Sequence, residues 1–272
     1  MLLKGKVAVV TGTGAGIGKA IAEHFAREGA KVVGASRRAE NGQPVIDAIV
    51  RQGGEGIFVR CDVSLQADVE AMIAETLRTY GRIDMLVNNA GVNFVKPFEE
   101  VSPEDWDRVV NVDLRGTYMC SRCAVIEMLK TGGGSIINIS SVHAQACEAG
   151  ASPYDAAKWG MVGLTKSLAV EFGGRNIRVN VVSPGAIRTQ IYDDYLAVVP
   201  DQEQFLDWLH SNIPLERVGT VHEVARACVF LASDEASYIT GANLFVDGGM
   251  SSQLYSRQPA EKKAINGRER TT

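Results

Sequence analysis

The sequence lacks any apolar run of the about 18 residues that a membrane-spanning helix requires. Its first residues, MLLKGKVAVVTGTG, do not have the layout of a signal peptide, because their short apolar run leads straight into a glycine turn. An excess of positive charge is also missing, since 32 acidic residues face 28 basic ones. That balance argues against nucleic acid or an anionic membrane as the main partner, and we expect a cytoplasmic protein.

Cysteine is scarce as well. Five cysteines, an odd number scattered along the chain, fit reduced thiols better than a disulfide framework. Cys120 and Cys123 form a CxxC motif, but it lies inside a long helical pattern and no second pair accompanies it. We interpret this pair as core packing, and we predict no metal site because no cluster of histidine and cysteine offers one.

The chain also has no linker rich in proline, glycine or serine, and no internal repeat. Short β-branched runs alternate instead with longer amphipathic stretches. This predicts a single α/β domain over residues 1–250, with a doubly wound parallel sheet of about seven strands and helices on both faces. Predicted strands are 6–12, 31–36, 56–61, 83–88, 134–140, 177–183 and 243–246, and predicted helices are 17–28, 42–52, 66–80, 104–130, 153–172 and 221–233.

Two segments interrupt this alternation. Residues 186–215 form a long insertion that carries several aromatic side chains. An insertion at the C-terminal end of a strand is where a substrate lid lies in such sheets, so we predict a lid here. The segment 251–272 is polar and becomes basic toward its end, which indicates either a mobile tail or an extension that contacts a partner.

A glycine-rich turn follows the first predicted strand. The sequence TGTGAGIG places Gly12, Gly16 and Gly18 in a G-x-x-x-G-x-G spacing rather than G-x-G-x-x-G. Such glycines let the backbone approach a pyrophosphate, and the following helix directs its N-terminal N–H groups at the phosphate charge. The turn alone is weak evidence, but its place between a strand and an amphipathic helix predicts a dinucleotide site.

The end of the second predicted strand bears on which dinucleotide binds. An acid there would bind the ribose 2′-hydroxyl of NAD, but KVVGASRR offers Ser36, Arg37 and Arg38 and no acid. A guanidinium suits a phosphate, so NADP(H) is favoured over NAD(H), with two solvated arginines as the alternative interpretation. Asp62, in CDVS after the third strand, is predicted either to accept from the adenine amino group or to cap the next helix.

The stretch YDAAK places Tyr154 and Lys158 one helical turn apart, with Cβ atoms about 5–6 Å from each other. An ordinary surface pair is one interpretation. The other is an acid–base tyrosine, because an ammonium about 5 Å away stabilises a phenolate by about 3 kcal/mol at an effective dielectric of about 20. On this second interpretation Lys158 makes Tyr154 ionisable at the working pH.

Eight short motifs, taken in order, resemble those of the short-chain dehydrogenases/reductases over about residues 5–250. They are TGTGAGIG at 11–18, CDVS at 61–64, NNAG at 88–91, NV at 111–112, ISS at 139–141, YDAAK at 154–158, SPG at 183–185 and FVDGG at 245–249. The resemblance implies a Rossmann-type fold and an NAD(P)-dependent oxidoreductase that interconverts a secondary alcohol and its carbonyl compound. In one departure, relatives that use NADP often carry a basic residue inside the glycine turn, where this chain has Ala15.

The resemblance also implies which residues form the site. The implied catalytic residues are Asn111, Ser141, Tyr154 and Lys158. Tyr154 exchanges the proton and Ser141 holds the substrate oxygen, although a helix cap or loop hydroxyl is the alternative for Ser141 alone. Lys158 also binds the nicotinamide ribose, and Asn111 holds a water that passes protons to solvent. The expected cofactor-binding residues are Gly12, Gly16, Ile17, Gly18, Ser36, Arg37, Arg38, Asp62, Val63, Asn89, Ala90, Gly91, Tyr154, Lys158, Pro184, Gly185, Ile187 and Thr189.

Four polar residues are candidates for contacting the substrate. His143, Gln145 and Glu148 lie in the loop before Tyr154, and Asn93 follows the NNAG motif. A loop this polar suits a hydroxyl-rich substrate such as a sugar or polyol, and solvated loop residues are the alternative. The aromatic insertion can instead present a wall to an apolar ketone, so the sequence leaves the substrate class open.

An oxidoreductase is the leading interpretation, and two others belong to different classes. A non-catalytic dinucleotide-binding regulator on the same fold has no reason to keep all four catalytic residues. An interaction protein whose tail recruits a partner is the third interpretation, and removal of the residues after Ser252 would test it. The family resemblance further implies that helices 104–130 and 153–172 pair with those of a second copy, which gives a homodimer or homotetramer.

Overall fold

The structure is a computed structural model that describes residues 1–256, apart from the side chain of Ile191. Seven strands form one parallel sheet in the order β3-β2-β1-β4-β5-β6-β9, and β7 pairs with β8 in a separate small sheet. The strands are β1 (Val7–Thr11), β2 (Lys31–Ser36), β3 (Glu55–Arg60), β4 (Met85–Asn88), β5 (Gly134–Ile139), β6 (Ile177–Pro184), β7 (Ile187–Arg188), β8 (Gly219–Thr220) and β9 (Asn243–Val246). The predicted doubly wound parallel sheet is confirmed.

Helices cover both faces of this sheet. They are α1 (Gly16–Arg27), α2 (Ala39–Arg51), α3 (Gln66–Tyr80), α4 (Pro103–Val110), α5 (Gly116–Thr131), α6 (Ser152–Phe172), α7 (Gln190–Val198), α8 (Gln202–Ser211) and α9 (Val221–Ala232). The prediction of one continuous helix over 104–130 is wrong, because a π-helical turn at Asn111–Arg115 separates α4 from α5.

The sheet is buried on both faces, which explains why its strands are almost continuously apolar. In β1, Ala8 and Val10 pack with α1, α2 and α9 on one face, whereas Val9 packs with α3 and α5 on the other. Successive side chains of a strand point to opposite faces, so one short run contributes to both cores. Polar side chains inside the strands, such as Asn138 and Asn180, are fully buried, so a ligand can be contacted only where the strands end.

The strand order reverses between β1 and β4. The chain runs outward from β1 through β2 to β3, then returns to place β4 on the other side of β1. In a sheet of this kind the loops on the two sides separate at the carboxyl ends of the strands, and a crevice opens there. The end of β1 at Thr11 and the end of β4 at Asn88 border this crevice.

The predicted lid segment, 186–215, consists largely of two helices. The Thr189 hydroxyl accepts a hydrogen bond from the backbone N–H of Tyr192 at 3.3 Å and so caps α7. The Asp201 carboxylate accepts from the N–H of Gln204 at 2.9 Å and caps α8. Threonine and aspartate are common N-cap residues, so Thr189 and Asp201 are the features of the sequence that indicate where these two helices begin.

The start of the predicted tail lies against the lid. Gln253 donates a hydrogen bond from Nε2 to the backbone oxygen of Ser211, at the end of α8, over 2.9 Å. The remainder of the tail, 257–272, lies outside the described residues. Among residues 1–256 no helix is both long enough and apolar enough to cross a membrane.

All five cysteines fall within the described residues, and none of them forms a disulfide. Cys120 of the CxxC motif is fully buried in the core between α3 and α5, and burial raises the pKa of its thiol. This placement agrees with the core-packing interpretation, since a buried neutral thiol is inert. No group of three metal-ligating side chains occurs within residues 1–256.

Candidate active site

A cavity of about 1270 Å³ lies along the carboxyl ends of the strands. The loops after β1 to β6 line it, together with the lid helices α7 and α8 and residues 250–256. Pockets for a single small ligand are usually about 300–1,000 Å³, so this cavity has room for a dinucleotide and a second, smaller molecule.

Hydrogen bonds from the end of β4 hold the glycine turn in place. The Thr11 hydroxyl accepts from the N–H groups of Asn89 and Ala90 at 3.0 and 3.1 Å. In return, the Asn89 side-chain amide donates to the backbone oxygens of Thr11 at 3.0 Å and Gly12 at 3.3 Å. These backbone N–H and C=O groups at the ends of β1 and β4 thus have hydrogen-bond partners in the other loop, and the two loops are fixed to each other.

The glycines of the turn have different functions. Gly12 has a φ of +73°, and a Cβ there would lie 2.7 Å from the Asn89 amide nitrogen. Gly12 and Gly16 line the cavity, whereas Gly18 does not. A Cβ on Gly18 would collide with the backbone of Gly12, so Gly18 permits the helix to pack on the turn. Gly18 therefore has a packing role in this structure, and its contact with the cofactor stays a prediction.

The N-terminus of α1 fits a phosphate. Its N-cap, Ala15, has no side chain that could accept from the first-turn N–H groups of the helix. These N–H groups, with the positive end of the helix dipole, are free to bind an anion. Ala15, Gly16 and Ile17 all line the cavity, so the residues present suit the pyrophosphate of a dinucleotide.

The two arginines after β2 lie at the same end of the cavity. Arg37 and Arg38 are exposed and line it, and neither forms a salt bridge with another residue of the described chain. The Ser36 hydroxyl donates to the backbone oxygen of Arg38 at 3.0 Å, which supports the turn that carries both guanidinium groups. Two guanidinium groups without a carboxylate partner among the described residues fit an additional phosphate.

Asp62 also lines this end, but it does not cap a helix. α3 begins after Leu65, and the Asp62 carboxylate instead accepts from the N–H and the hydroxyl of Ser64, at 3.0 and 2.7 Å. The capping alternative is therefore wrong. The other predicted cofactor residues that line the cavity are Val63, Asn89, Ala90, Gly91, Pro184, Gly185, Ile187 and Thr189.

Tyr154 and Lys158 lie on one face of α6, as their spacing predicts. The Lys158 ammonium is 5.2 Å from the centre of the Tyr154 ring and donates to the backbone oxygen of Ile139 at 3.2 Å. Both side chains line the cavity, and Lys158 is almost wholly buried. A buried ammonium beside a phenol is the arrangement that the acid–base interpretation requires, and a surface pair is excluded.

Lys158 has a partner that the sequence interpretation did not include. Asp113 is completely buried, and its Oδ2 lies 3.0 Å from the Lys158 Nζ. Its other oxygen, Oδ1, accepts from the N–H of Val92 at 2.9 Å. Burial by itself lowers the pKa of Lys158, but the charge of Asp113 and the interaction with Tyr154 outweigh it, and the pKa is raised above its usual value.

Asn111 does not join these residues. It does not line the cavity, whereas Asp113, two residues later, does. Two residues correspond to roughly half a helical turn, so the two side chains leave the helix in nearly opposite directions. Asp113 falls four residues after Val109 and four before Thr117, both buried, and this i, i+4 pattern was the signal available in the sequence. Asp113, and not Asn111, is therefore the residue of this helical turn that reaches Lys158, and the role of Asn111 stays a prediction.

The loop after β5 carries Ser141 and His143. The Ser141 hydroxyl accepts from the N–H of His143 at 3.2 Å, so it caps a short turn and still has its proton to donate into the cavity. The His143 Nδ1 lies 2.5 Å from the Asp155 carboxylate, and its ring meets the Tyr154 ring edge-on at 5.2 Å. Both interpretations of Ser141 are therefore compatible with its position.

Three of the four proposed substrate contacts lie at this end of the cavity. His143, Glu148 and Asn93 line it, and the His143 Nε2 is 3.6 Å from Glu148 Oε2. Gln145 is exposed and does not line the cavity, because it ends the short turn that Ser141 begins. The contact of Gln145 with a substrate stays a prediction.

Comparisons with known proteins agree with this geometry. A family model described as enoyl-(acyl carrier protein) reductase matches residues 12–251. The chain belongs to the short-chain dehydrogenase/reductase family. An uncharacterized oxidoreductase of Thermotoga maritima is 46% identical over 255 residues, which cover 93% of this chain and 98% of the relative.

Two further members of the short-chain dehydrogenase/reductase family resemble the chain over nearly their whole length. Glucose 1-dehydrogenase 2 of Bacillus subtilis is 39% identical over 259 residues, 94% of this chain and 98% of the relative. The crystal structure of a gluconate 5-dehydrogenase from Burkholderia cenocepacia, in complex with NADP and tartrate, has a TM-score of 0.87. It is 33% identical and covers 93% of this chain and 97% of its own.

In this short-chain dehydrogenase/reductase the predicted lid segment, 186–215, adds an aromatic wall to the cavity. Tyr195 and Phe205 have ring centres 5.5 Å apart, and Phe205 and Trp208 have ring centres 5.8 Å apart. All three rings line the same cavity as the polar loop, as do Asn212 and Gln253. The two expectations drawn from the sequence, a polar loop and an aromatic wall, therefore occur together in one cavity.

Replacing Thr11 by valine should loosen the junction between the glycine turn and β4. The N–H groups of Asn89 and Ala90 lose their acceptor, and we expect the free energy of unfolding in urea to fall by about 2–4 kcal/mol. The Thr11→Ser variant keeps the hydroxyl and should stay within about 1 kcal/mol of the wild type. Equal stability of the valine and serine variants would show that these bonds contribute nothing.

Proposed function

We propose that the chain is an NAD(P)-dependent oxidoreductase that interconverts a secondary alcohol and its carbonyl compound, with Tyr154 as the general acid and base. The observation that supports this most directly is the buried Lys158 ammonium, 5.2 Å from the Tyr154 ring, with Ser141 on the same cavity wall. A non-catalytic dinucleotide-binding regulator would have no need to bury an ammonium beside a phenol at the expense of its hydration.

The residues of the chain divide the proton chemistry among them. When bound, the nicotinamide accepts or supplies the hydride. In the direction of oxidation, Tyr154 takes the proton of the substrate hydroxyl, and in reduction it returns a proton to the developing alkoxide. Ser141 donates to the substrate oxygen and orients it. Lys158 holds the nicotinamide ribose and favours the ionised form of Tyr154.

NADP(H) is the cofactor that the chain's own residues favour. Arg37 and Arg38 line the adenosine end without a carboxylate partner in residues 1–256, and no acid follows β2 to bind a free 2′-hydroxyl. The gluconate 5-dehydrogenase that resembles the chain was crystallised with NADP. Asp62, at the same end, is positioned to accept from the adenine amino group through its remaining lone pairs.

Replacing Arg37 by alanine should weaken NADPH binding about 10- to 100-fold, because a charge-assisted bond to the 2′-phosphate is lost. NADH affinity should not change. Nicotinamide fluorescence measures both affinities without a substrate. Arg51→Ala, an exposed arginine of α2 outside the cavity, is the matched control and should bind both dinucleotides as the wild type does. Tighter NADH binding in the wild type would exclude the phosphate assignment.

A neutral, hydroxyl-rich molecule is the substrate class that the cavity favours. Among the described lining residues only Arg37, Arg38 and Lys158 carry a full positive charge. The two arginines lie at the adenosine end, and Asp113 compensates Lys158. A substrate carboxylate or phosphate would therefore enter a region that already contains the negative charge of Glu148. No lysine or arginine among the described lining residues is available there to pair with the substrate anion.

The shape of the substrate end supports the same class. The aromatic wall of Tyr195, Phe205 and Trp208 lines the same cavity as a polar loop that contains His143 and Glu148. A sugar or polyol has C–H groups that pack on aromatic rings and hydroxyls that bond to polar side chains. An acyl thioester, which the description of the matching family suggests as the alternative, would use the aromatic wall but leave the polar loop unsatisfied.

A panel of three substrates tests this class. With NADP⁺ or NADPH as appropriate, we expect kcat/KM for D-glucose to exceed that for D-gluconate by about tenfold or more, because the carboxylate finds no cation. Reduction of acetoacetyl-coenzyme A should be slower still. Oxidation of D-gluconate at the rate of D-glucose would contradict the argument from charge, and efficient reduction of the thioester would favour the acyl alternative.

Replacing Tyr154 by phenylalanine should lower kcat about 10²- to 10⁴-fold, since the acid–base group is removed while the ring remains. Dinucleotide affinity should be preserved, because the ring and Lys158 still shape the site. Tyr80→Phe, at the end of α3 and outside the cavity, serves as the matched control and should keep full activity. Normal turnover by the Tyr154 variant would rule out the proposed mechanism.

The assembly and the compartment belong to the same proposal. α5 and α6 expose large apolar side chains, among them Tyr118, Ile126 and Trp159, which a second copy would cover to give a homodimer or homotetramer. Sedimentation equilibrium that shows only monomers would overturn this assembly. The five unpaired cysteines fit a reducing cytoplasm, and cell fractionation tests that location.

A further inference from the structure

The Asp113–Lys158 pair is the most deeply buried charge pair in the described chain. Asp113 has no exposed surface, Lys158 is 4% exposed, and their charged atoms are 3.0 Å apart. Burying two charges is costly, and the attraction between them offsets that cost only where the charges are close and further hydrogen bonds hold them. Asp113 is further fixed by the Val92 N–H, and a Cβ on Gly91 would lie 3.0 Å from its Oδ2, so the carboxylate has little freedom to move.

This pair changes the electric field at Tyr154. A single ammonium about 5 Å from a phenol favours the phenolate, as the sequence alone suggests. A carboxylate bound to that ammonium partly cancels its charge, because Tyr154 then faces a dipole instead of a full positive charge. The same carboxylate also holds the proton on Lys158, in line with the raised pKa of that ammonium.

We propose that Asp113 keeps both Tyr154 and Lys158 protonated near neutral pH, so that the site acts there as a proton donor for carbonyl reduction. Alcohol oxidation, which needs the phenolate, then requires alkaline pH. Asp113 acts through Lys158 and touches no reacting atom, so it is a positioning residue. This inference rests on the proposed role of Tyr154 as the general acid and base.

The direction of the effect does not depend on which group loses the first proton. Tyr154 and Lys158 interact closely and lose protons as a coupled pair. A nearby negative charge favours the neutral phenol of Tyr154 over its phenolate, and it favours the ammonium of Lys158 over the neutral amine. Removing the charge of Asp113 must therefore move the first proton loss of the pair to lower pH.

Other ionisable groups surround the pair, but a change at position 113 leaves them in place. The loop after β5 contributes His143, Cys147 and Glu148, α6 contributes Asp155, and the lid contributes Tyr192 and Tyr195. His143 is held between Asp155 and Glu148 and contacts the Tyr154 ring at its edge. None of these groups forms an ion pair or hydrogen bond with the Asp113 carboxylate, whose partners among the described residues are Lys158 and the Val92 N–H.

The test replaces Asp113 by asparagine, which keeps nearly the same shape without the charge. Phenolate formation by Tyr154 is followed as a near-ultraviolet difference titration, in which the spectrum of a Tyr154→Phe variant is subtracted. The subtraction is made in both the wild-type and the Asp113→Asn background. We expect the midpoint of phenolate formation to fall by about one pH unit or more in the Asp113→Asn protein. This readout requires no substrate.

Kinetics provide a second readout. In the Asp113→Asn variant, the pH profile of kcat/KM for D-glucose oxidation with NADP⁺ should move to lower pH by a similar amount. Reduction at neutral pH should slow, because less of the enzyme carries the Tyr154 proton. Asp84→Asn is the matched control: Asp84 is also buried and paired, with Arg82, but it lies at the other end of β4 and should not move either curve.

The outcomes separate this inference from the proposed function. Unchanged midpoints in a folded Asp113→Asn protein would limit Asp113 to a structural role. Full activity of Tyr154→Phe would instead reject the acid–base assignment itself. If Asp113→Asn does not fold, Asp113→Ser, which leaves room for a water beside Lys158, is titrated in the same way. A midpoint equal to that of the wild type would then overturn the inference.

Discussion

The burial of the central sheet on both faces is the constraint on which the rest of the structure depends. The inner strands β1, β4 and β5 contribute alternate side chains to two separate cores, so little of their interior is open to solvent or ligand. Function is therefore confined to the carboxyl edge of the sheet, where β1 and β4 diverge. The hydrogen bonds between Thr11 and Asn89 close this edge and give the glycine turn a fixed shape.

Along that edge, the distribution of charge divides the cavity into two parts. The adenosine end has two guanidinium groups without carboxylate partners among the described residues, which suits a dinucleotide with an additional phosphate. At the substrate end, the ammonium of Lys158 is already paired with Asp113, and Glu148 adds a negative charge. Positive charge without a carboxylate partner among the described residues thus lies at one end of the cavity, and compensated charge lies at the other.

Several side chains at the substrate end have a structural and a chemical function at once. Ser141 begins a short turn through the His143 N–H and still offers a proton to a bound oxygen. Thr189 caps α7 and lines the cavity beside Gly16. This double use couples the position of the lid to that of the cofactor site, because α7 starts at a residue that borders both.

The sequence by itself determined the elements and the pairs within them. Strand–helix alternation predicts the sheet, the glycine spacing predicts the turn, and the i, i+4 spacing places Tyr154 and Lys158 on one face. These features depend on local periodicity and backbone geometry. The tertiary structure decided that Asp113 rather than Asn111 meets Lys158, and that the aromatic side chains of 186–215 share one cavity with the polar loop. Local periodicity shows which side chains share a face, whereas strand order and helix packing determine which faces meet.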